Sequence, residues 1–190
     1  MSPHYRHSRP TRQKGSPMKT LVLVFHPDMS KSRANAALMA AAQELPADEV
    51  TVRDEYAQYP DGRIDVAAEQ RLIESHDRIV LQFPLYWYSS PALLKEWEDQ
   101  VLAFGWAYGP DGKALESKEI TVATTAGGPE GEYQPEDNGA TMREVLSPYR
   151  MMARYVHAAW REPFVVFGAM ELSDEALAET AKQYQAFLSA

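Results

Sequence analysis

The feature that most constrains this chain is a repeated alternation: short apolar, β-branched runs are separated by segments of helical character, with no hairpin signal between consecutive runs. Residues 19–25 read KTLVLVF, the continuous apolar run of a buried strand. After a loop, residues 34–45 read ANAALMAAAQEL, rich in the strong helix formers Ala and Leu. EVTVRDE (49–55) alternates as a weaker strand, AEQRLIESH (68–76) is a modest helix, and RIVLQF (78–83) is again the kind of run that parallel sheets bury on both faces.

The pattern continues to the end. In PALLKEWEDQVLAF, residues Leu93, Leu94, Trp97, Val101 and Phe104 recur at helical offsets, with Pro91 near the first turn. EITVATT (119–125) is a fourth strand. Residues 141–160, TMREVLSPYRMMARYVHAAW, read as helical, with Ser147 and Pro148 either kinking the helix or restarting it with a cap. FVVFGA (164–169) is a fifth strand and SDEALAETAKQYQAFL a last helix capped by Ser173. Five strands alternating with helices predict an α/β fold, a doubly wound five-stranded parallel sheet with helices on both faces.

The length of 190 residues suits one core. Residues 1–17 hold three prolines, four Lys or Arg and no acid, without the apolar stretch of a secretory signal. They read as a disordered basic N-terminal tail, an upstream extension of a domain covering 18–190 that opens at Met18. Without cysteine, disulfides, thiolate metal sites and Cys nucleophiles are excluded. A formal net charge of −8 disfavours a nucleic-acid groove.

In open parallel sheets ligands sit beyond the carboxyl ends of the strands, where the winding reverses. Three loops there carry chemistry. HPDMSKSRAN (26–35) runs into a helix start suited to an anion, where Ser30, Ser32 and Asn35 add hydrogen-bond donors and His26 and Arg33 add charge. The competing reading is that Ser30 or Ser32 only caps the helix. PLYWYSS (84–90) sets Tyr86, Trp87 and Tyr88 between prolines, and AGGPEGEY (126–133) offers Gly127 and Gly128 for close backbone approach, with Thr124 and Thr125 before them and Tyr133 after. G-x-G-x-x-G and G-x-x-x-x-G-K-[ST] are both missing. An anion loop, an aromatic loop and a glycine loop together suit one flat ring carrying one phosphate, which describes flavin mononucleotide. FMN is preferred to FAD because no extra segment is evident for an adenine. His76, at a helix end, and His157, in a helix, lack partners at ligand spacing, so no metal site is expected.

The segments HPDMSKSRAN, QFPLYWYSSPALLKEWEDQVLAFGWAYG, TTAGGPEGEY and REPFVVFGA closely resemble the flavodoxin-like NAD(P)H quinone oxidoreductases. The likeness is strongest to the short bacterial members that include the ancillary proteins of glutathione-regulated potassium efflux systems. The resemblance implies the flavodoxin-like strand order, a homodimer, and flavin at the dimer interface. It places His26, Ser32 and Asn35 around the flavin phosphate, Pro84, Leu85, Tyr86 and Trp87 along the ring system, and Thr125, Gly127 and Gly128 at the ring edge. Tyr133 matches the family's active-site tyrosine. The larger animal members carry a histidine a few residues later, where this chain reads QPEDNGA, so a tyrosine-histidine relay does not carry over.

The implied activity is two-electron, ping-pong hydride transfer from NAD(P)H through FMN to a quinone, in a cytoplasmic protein. Two other readings stand beside it. One is a regulatory subunit on a potassium efflux transporter at the inner membrane face; the other is a flavodoxin-like electron carrier, which would not need the pocket that the aromatic loops and FGWAYG leave room for. Tyr88 and Trp106 are expected to serve partly as interface residues.

Overall fold

A computed structural model describes residues 18–190; the expectation for the 1–17 tail lies outside the described residues. Strands β1 (Thr20–Val24), β2 (Val50–Asp54), β3 (Arg78–Pro84) and β4 (Glu119–Thr125) pair in the order β2-β1-β3-β4, all parallel. Two short strands, β5 (Ala159–Trp160) and β6 (Phe164–Val166), occupy one further lane beside β4. The winding reverses between β1 and β3, which makes their carboxyl ends the expected ligand position.

The alternation along each strand explains the two covered faces. Leu21 and Leu23 of β1 point into one cluster with Leu94, Trp97 and Ala153, from α4 (Ala92–Val101) and α6 (Ser147–Tyr155). Val22 and Val24 point into the other, with Leu38 of α1 (Ala34–Gln43) and Tyr184 and Leu188 of α7 (Asp174–Ser189). Side chains one residue apart face opposite sides of a sheet, so an all-apolar strand requires helices on both.

The remaining helices are α2 (Glu55–Gln58), α3 (Val66–Glu74) and α5 (Met142–Val145). The fifth lane differs from the expected continuous strand. Residues 161–163 interrupt it, and Pro163, with no N–H, cannot donate to the ladder. The 141–160 segment is not one helix either. Thr141 makes a capping box with Glu144 for α5, and α6 restarts with proline in its first turn and no side-chain cap, so Ser147 is not the cap. His157 lies in a turn at φ 61°, after the helix rather than in it, and the AAW that follows is extended. Ser173 does cap α7, accepting from the Ala176 N–H.

Beneath α4 lies a buried ionic cluster. Arg53 pairs with Glu55 at 2.7 Å and with Glu69, whose carboxylate also accepts from the Tyr59 hydroxyl and from Trp97 Nε1 at 2.9 Å. Both glutamates are fully buried. One guanidinium faces two carboxylates, and burial, opposed by the Arg53 bond and reinforced by Glu69, pushes Glu55 up to about 7. A proton bound more tightly when folded makes stability fall as pH rises from the ordinary carboxylate range through that value.

Chemical denaturation across pH 5 to 8 should therefore show declining stability above about pH 5. Glu55→Gln should flatten that slope, whereas Arg53→Met, which strands two buried acids, should cost about 3 to 5 kcal/mol.

Candidate active site

The carboxyl ends of β1, β3 and β4 bring the three loops together. The rings of His26 and Tyr86 meet edge to face, their centroids 6.5 Å apart. Leu85 N–H donates to the Thr125 carbonyl at 2.8 Å, and Asn35 Nδ2 donates to Thr125 Oγ1 at 2.9 Å.

The first loop leaves an anion-receptive helix start. Asp28 gathers Lys31 at 2.8 Å and Ser30 Oγ at 2.5 Å, which, Lys31 foremost, hold its carboxyl down at about 2. Ser32 gives its N–H to the Met29 carbonyl, and Arg33 stands at the N-cap of α1 and makes no side-chain cap. Neither serine caps this helix. The N–H groups of residues 33–36 have no acceptor among the described residues, the first intrahelical bond running from Ala37 to the Arg33 carbonyl. Unpaired N–H groups at the positive end of a ten-residue helix attract anions.

Charge at this site differs from the sequence expectation. Burial holds the His26 imidazole below its ordinary value, so it is neutral at pH 7. The Asp28 N–H donates to His26 Nδ1 at 3.2 Å, which leaves the ring proton on Nε2 as a donor. Arg33 turns away to the Leu172 carbonyl and the Asp174 carboxylate on α7. Asn35 is buried, its side-chain amide engaged by Thr125, while Gln82 Nε2 donates to its backbone carbonyl at 3.1 Å and to its Oδ1 at 3.4 Å. What this loop offers an anion is backbone N–H groups, hydroxyls and a neutral imidazole.

The second loop is a two-residue turn. Tyr86 and Ser89 exchange both backbone bonds, at 3.0 and 2.9 Å, with Trp87 at φ 49° and Tyr88 at φ 59° between them. Two successive positive φ angles make the type I′ geometry that favours Asn-Gly, and bulky side chains are strained there. The strain holds out rings that solvent reaches: Trp87 is 94% exposed, Tyr88 52% and Tyr86 43%. Apolar surface in a strained turn costs free energy twice and contributes nothing to the core.

In the third loop, a side chain at Gly127 would find open space except for Met170 Sδ at 3.8 Å, while one at Gly128 would collide with the Glu132 carboxylate. Tyr133 is buried, tilted against Phe167 at 5.4 Å. Burial, then the neighbouring Tyr88 hydroxyl and the Glu132 charge, raise its phenol above the ordinary value, so it stays protonated. Met170, 84% exposed beside Gly127, belongs to this edge and was missed in sequence. The signal available was its place directly after the last strand.

Of the expected site residues, His26, Asn35, Leu85, Tyr86 and Thr125 lie in this contact set; Tyr133 packs on Phe167 and beside Gly128, Ser32 stands at the helix start, Pro84 ends β3, and Gly127 and Gly128 follow β4. Trp87 alone points wholly to solvent. Trp106 is half-buried and donates its indole N–H to Glu74 at 2.8 Å.

Residues 18–188 match the model of a family described as having the flavodoxin-like fold. The chain is 43% identical over 173 residues to the glutathione-regulated potassium-efflux system ancillary protein KefG of Yersinia enterocolitica, covering 90% of this chain and 93% of that one. Among solved structures it is similar to general stress protein 14 of Treponema denticola in complex with FMN, at 42% identity and TM-score 0.86, covering 90% of this chain and 97% of that one. It is also similar to an NADPH-quinone reductase from P. pentosaceus, at 30% identity and TM-score 0.82, covering 90% and 98%.

Two substitutions separate structure from site. Asn35→Ala should lower the unfolding free energy by about 1 to 3 kcal/mol, since the buried Thr125 hydroxyl loses its donor while Gln82 keeps the backbone carbonyl of residue 35. The double change Trp87→Asn, Tyr88→Gly should raise it by about 1 to 2 kcal/mol by relieving the turn. Urea titration of each variant measures both.

Proposed function

The chain belongs to the flavodoxin-like fold family, and on that premise we propose that its carboxyl-edge site binds FMN and serves an NAD(P)H:quinone oxidoreductase. It is a flavin-dependent oxidoreductase by its relatives; the quinone and the order of events are the proposal. The observation that carries it is the strained turn presenting three aromatic rings beside an anion-receptive helix start. That pairing suits a flat ring joined to one phosphate.

The residues fit that group. The N–H groups at the start of α1, the Ser32 hydroxyl and the Nε2–H of neutral His26 would hold the phosphate. Residues 84–87 would lie along the ring system and the open space at Gly127 would admit its edge. Asn35 contributes by bracing Thr125 at the base of that edge through its amide rather than by donating that amide to the phosphate. When bound, the flavin supplies two-electron hydride chemistry, acceptance from NAD(P)H and return to a quinone, with donor and acceptor using one place in turn.

Tyr133 then has a defined part. Its protonated hydroxyl donates a hydrogen bond to a quinone oxygen and orients it, while its raised pKa makes it a poor general acid. Donors fixed before reaction stabilise charge as it develops on the acceptor.

An apolar face supports a homodimer. Phe104, Met151 and Tyr155 are 70%, 66% and 65% exposed, and the rings of Phe104, Tyr108 and Tyr155 run in a chain with centroids 5.7 and 5.4 Å apart. Gly109, at φ 89°, keeps this loop tight, since a Cβ there would stand 2.6 Å from the Phe104 ring. Likeness to the potassium-efflux ancillary protein supports a second reading, a regulatory partner of a membrane transporter; no described helix is long and apolar enough to cross a membrane.

The purified protein should be yellow and release FMN on denaturation, identified by its mass. A chain that stays colourless after incubation with FMN and FAD would overturn the reading. Tyr133→Phe should lower kcat/KM for quinone about two- to tenfold and leave reduction by NAD(P)H unchanged in stopped flow. Sedimentation should show a dimer at micromolar concentration, and Phe104→Glu should shift it to monomer.

A further inference from the structure

Beside Tyr133, and outside the flavin reading, the structure holds a cavity of about 180 Å³. The split edge lane supplies one wall, with Trp160, Glu162, Val165 and Phe167; α5 and α6 supply the other, with Arg143 and Arg150. The two arginines differ from the others that serve the fold. Arg53, Arg78 and Arg161 each bond to carboxylates or chain carbonyls. Arg143 and Arg150 have no ion pair and no hydrogen-bonded acceptor among the described residues, although Arg150 is half-buried. The Trp160 indole N–H likewise has no acceptor there, whereas Trp97 and Trp106 each donate to a glutamate.

We propose that this cavity binds a single-ring aromatic acid. Two guanidinium groups against the one carboxylate of Glu162 leave a net positive charge, suited to a monoanion. Guanidinium is a fixed fork of donors that matches a carboxylate in two bonds, and aromatic walls accept a flat ring. Size selects the rest. A cavity of about 150 Å³ is enough for benzene, so this one has room for a ring with its carboxyl group. Phe167 belongs both to this wall and to the ring pair with Tyr133, at 5.4 Å. An occupant therefore touches the side chain that positions Tyr133.

The break in the fifth lane lies in one wall of the cavity. Between Ile120↔Trp160 and Ala123↔Phe164 the lane carries one extra residue, a bulge still tied to β4 by the Arg161 N–H, which donates to the Ile120 carbonyl at 3.1 Å, and by the Glu162 carbonyl, which accepts from Thr121 Oγ1 at 3.2 Å.

Calorimetric titration of the purified full chain with benzoate, and with uncharged benzyl alcohol as the isostere, tests the site. Benzoate should bind one per chain, with or without saturating FMN, and more tightly than benzyl alcohol. Arg150→Gln should weaken benzoate at least about tenfold and leave benzyl alcohol unchanged, the loss expected of a hydrogen bond to a charged group. Arg150→Lys, which keeps charge and loses the fork, should give an intermediate loss, and covers the case in which Arg150→Gln fails to fold. The proposal is overturned by absence of saturable benzoate binding up to about 10 mM, well above the millimolar range of weak ligands. It is overturned equally by undiminished binding in Arg143→Gln, Arg150→Gln, or by competition between benzoate and FMN, which would return the binding to the carboxyl-edge site.

Discussion

A buried polar relay holds the working edge together. Tyr184 of α7 donates its hydroxyl to Gln82 Oε1 at 3.0 Å, Gln82 donates to the Asn35 carbonyl at 3.1 Å, and Asn35 donates to Thr125 at 2.9 Å. Four elements are tied by side chains of which Tyr184, Gln82 and Asn35 are at most 1% exposed. No buried side-chain N or O atom among the described residues lacks a partner. A fully satisfied network inside an apolar core fixes one arrangement, because any slip leaves a buried donor or acceptor unpaired. The slip this relay prevents is of α1 along β3, and the start of α1 is where the anion-receptive N–H groups lie.

A second anchor works from the other face. Glu69 of α3 accepts from Trp97 of α4, and the Leu93 N–H donates to the Tyr56 hydroxyl at 3.2 Å. Helix α4 begins three residues after the Ser89 that closes the strained turn. Bonds that fix the start of α4 therefore fix the base of the turn and make its two positive φ angles sustainable, while its tip stays in solvent. The buried acids and guanidinium cost desolvation, and burial shows in the raised value of Glu55. Replacement of such a cluster by apolar residues is often neutral or better for stability, so geometry is what it supplies here.

The fold was legible because its signals are local. Continuous runs such as TLVLVF and RIVLQF demand burial on both sides, and alternation with helices then leaves one class of sheet. The site was legible in outline for a related reason: once strands are placed, the loops at their carboxyl ends are known. Partners across long separations were not. Asn35 reads as a phosphate donor from its position, yet Thr125 lies 90 residues away and claims its amide. Arg33 reads as charge for the anion until Asp174, 141 residues on, is found to hold it. His157 and the AAW after it read as helix because a period carries past its end when no glycine marks the stop, and here a histidine takes the positive φ.

The two polar networks and the exposed rings divide the work. Groups that must not move, at the ends of β3 and β4 and the start of α1, are buried and bonded to one another. Tyr86, Trp87 and Tyr88, which the proposed function sets beside a flat ring, are carried by a turn that sequence preference alone would fill with Asn-Gly. Their exposed apolar area and their backbone strain both oppose folding of the lone chain, and both are offset when a flat ligand or a second copy covers them. An edge rigid beneath and unsatisfied above binds without reorganising its own base. The proposed exchange of two flat molecules at one place would rest on that condition.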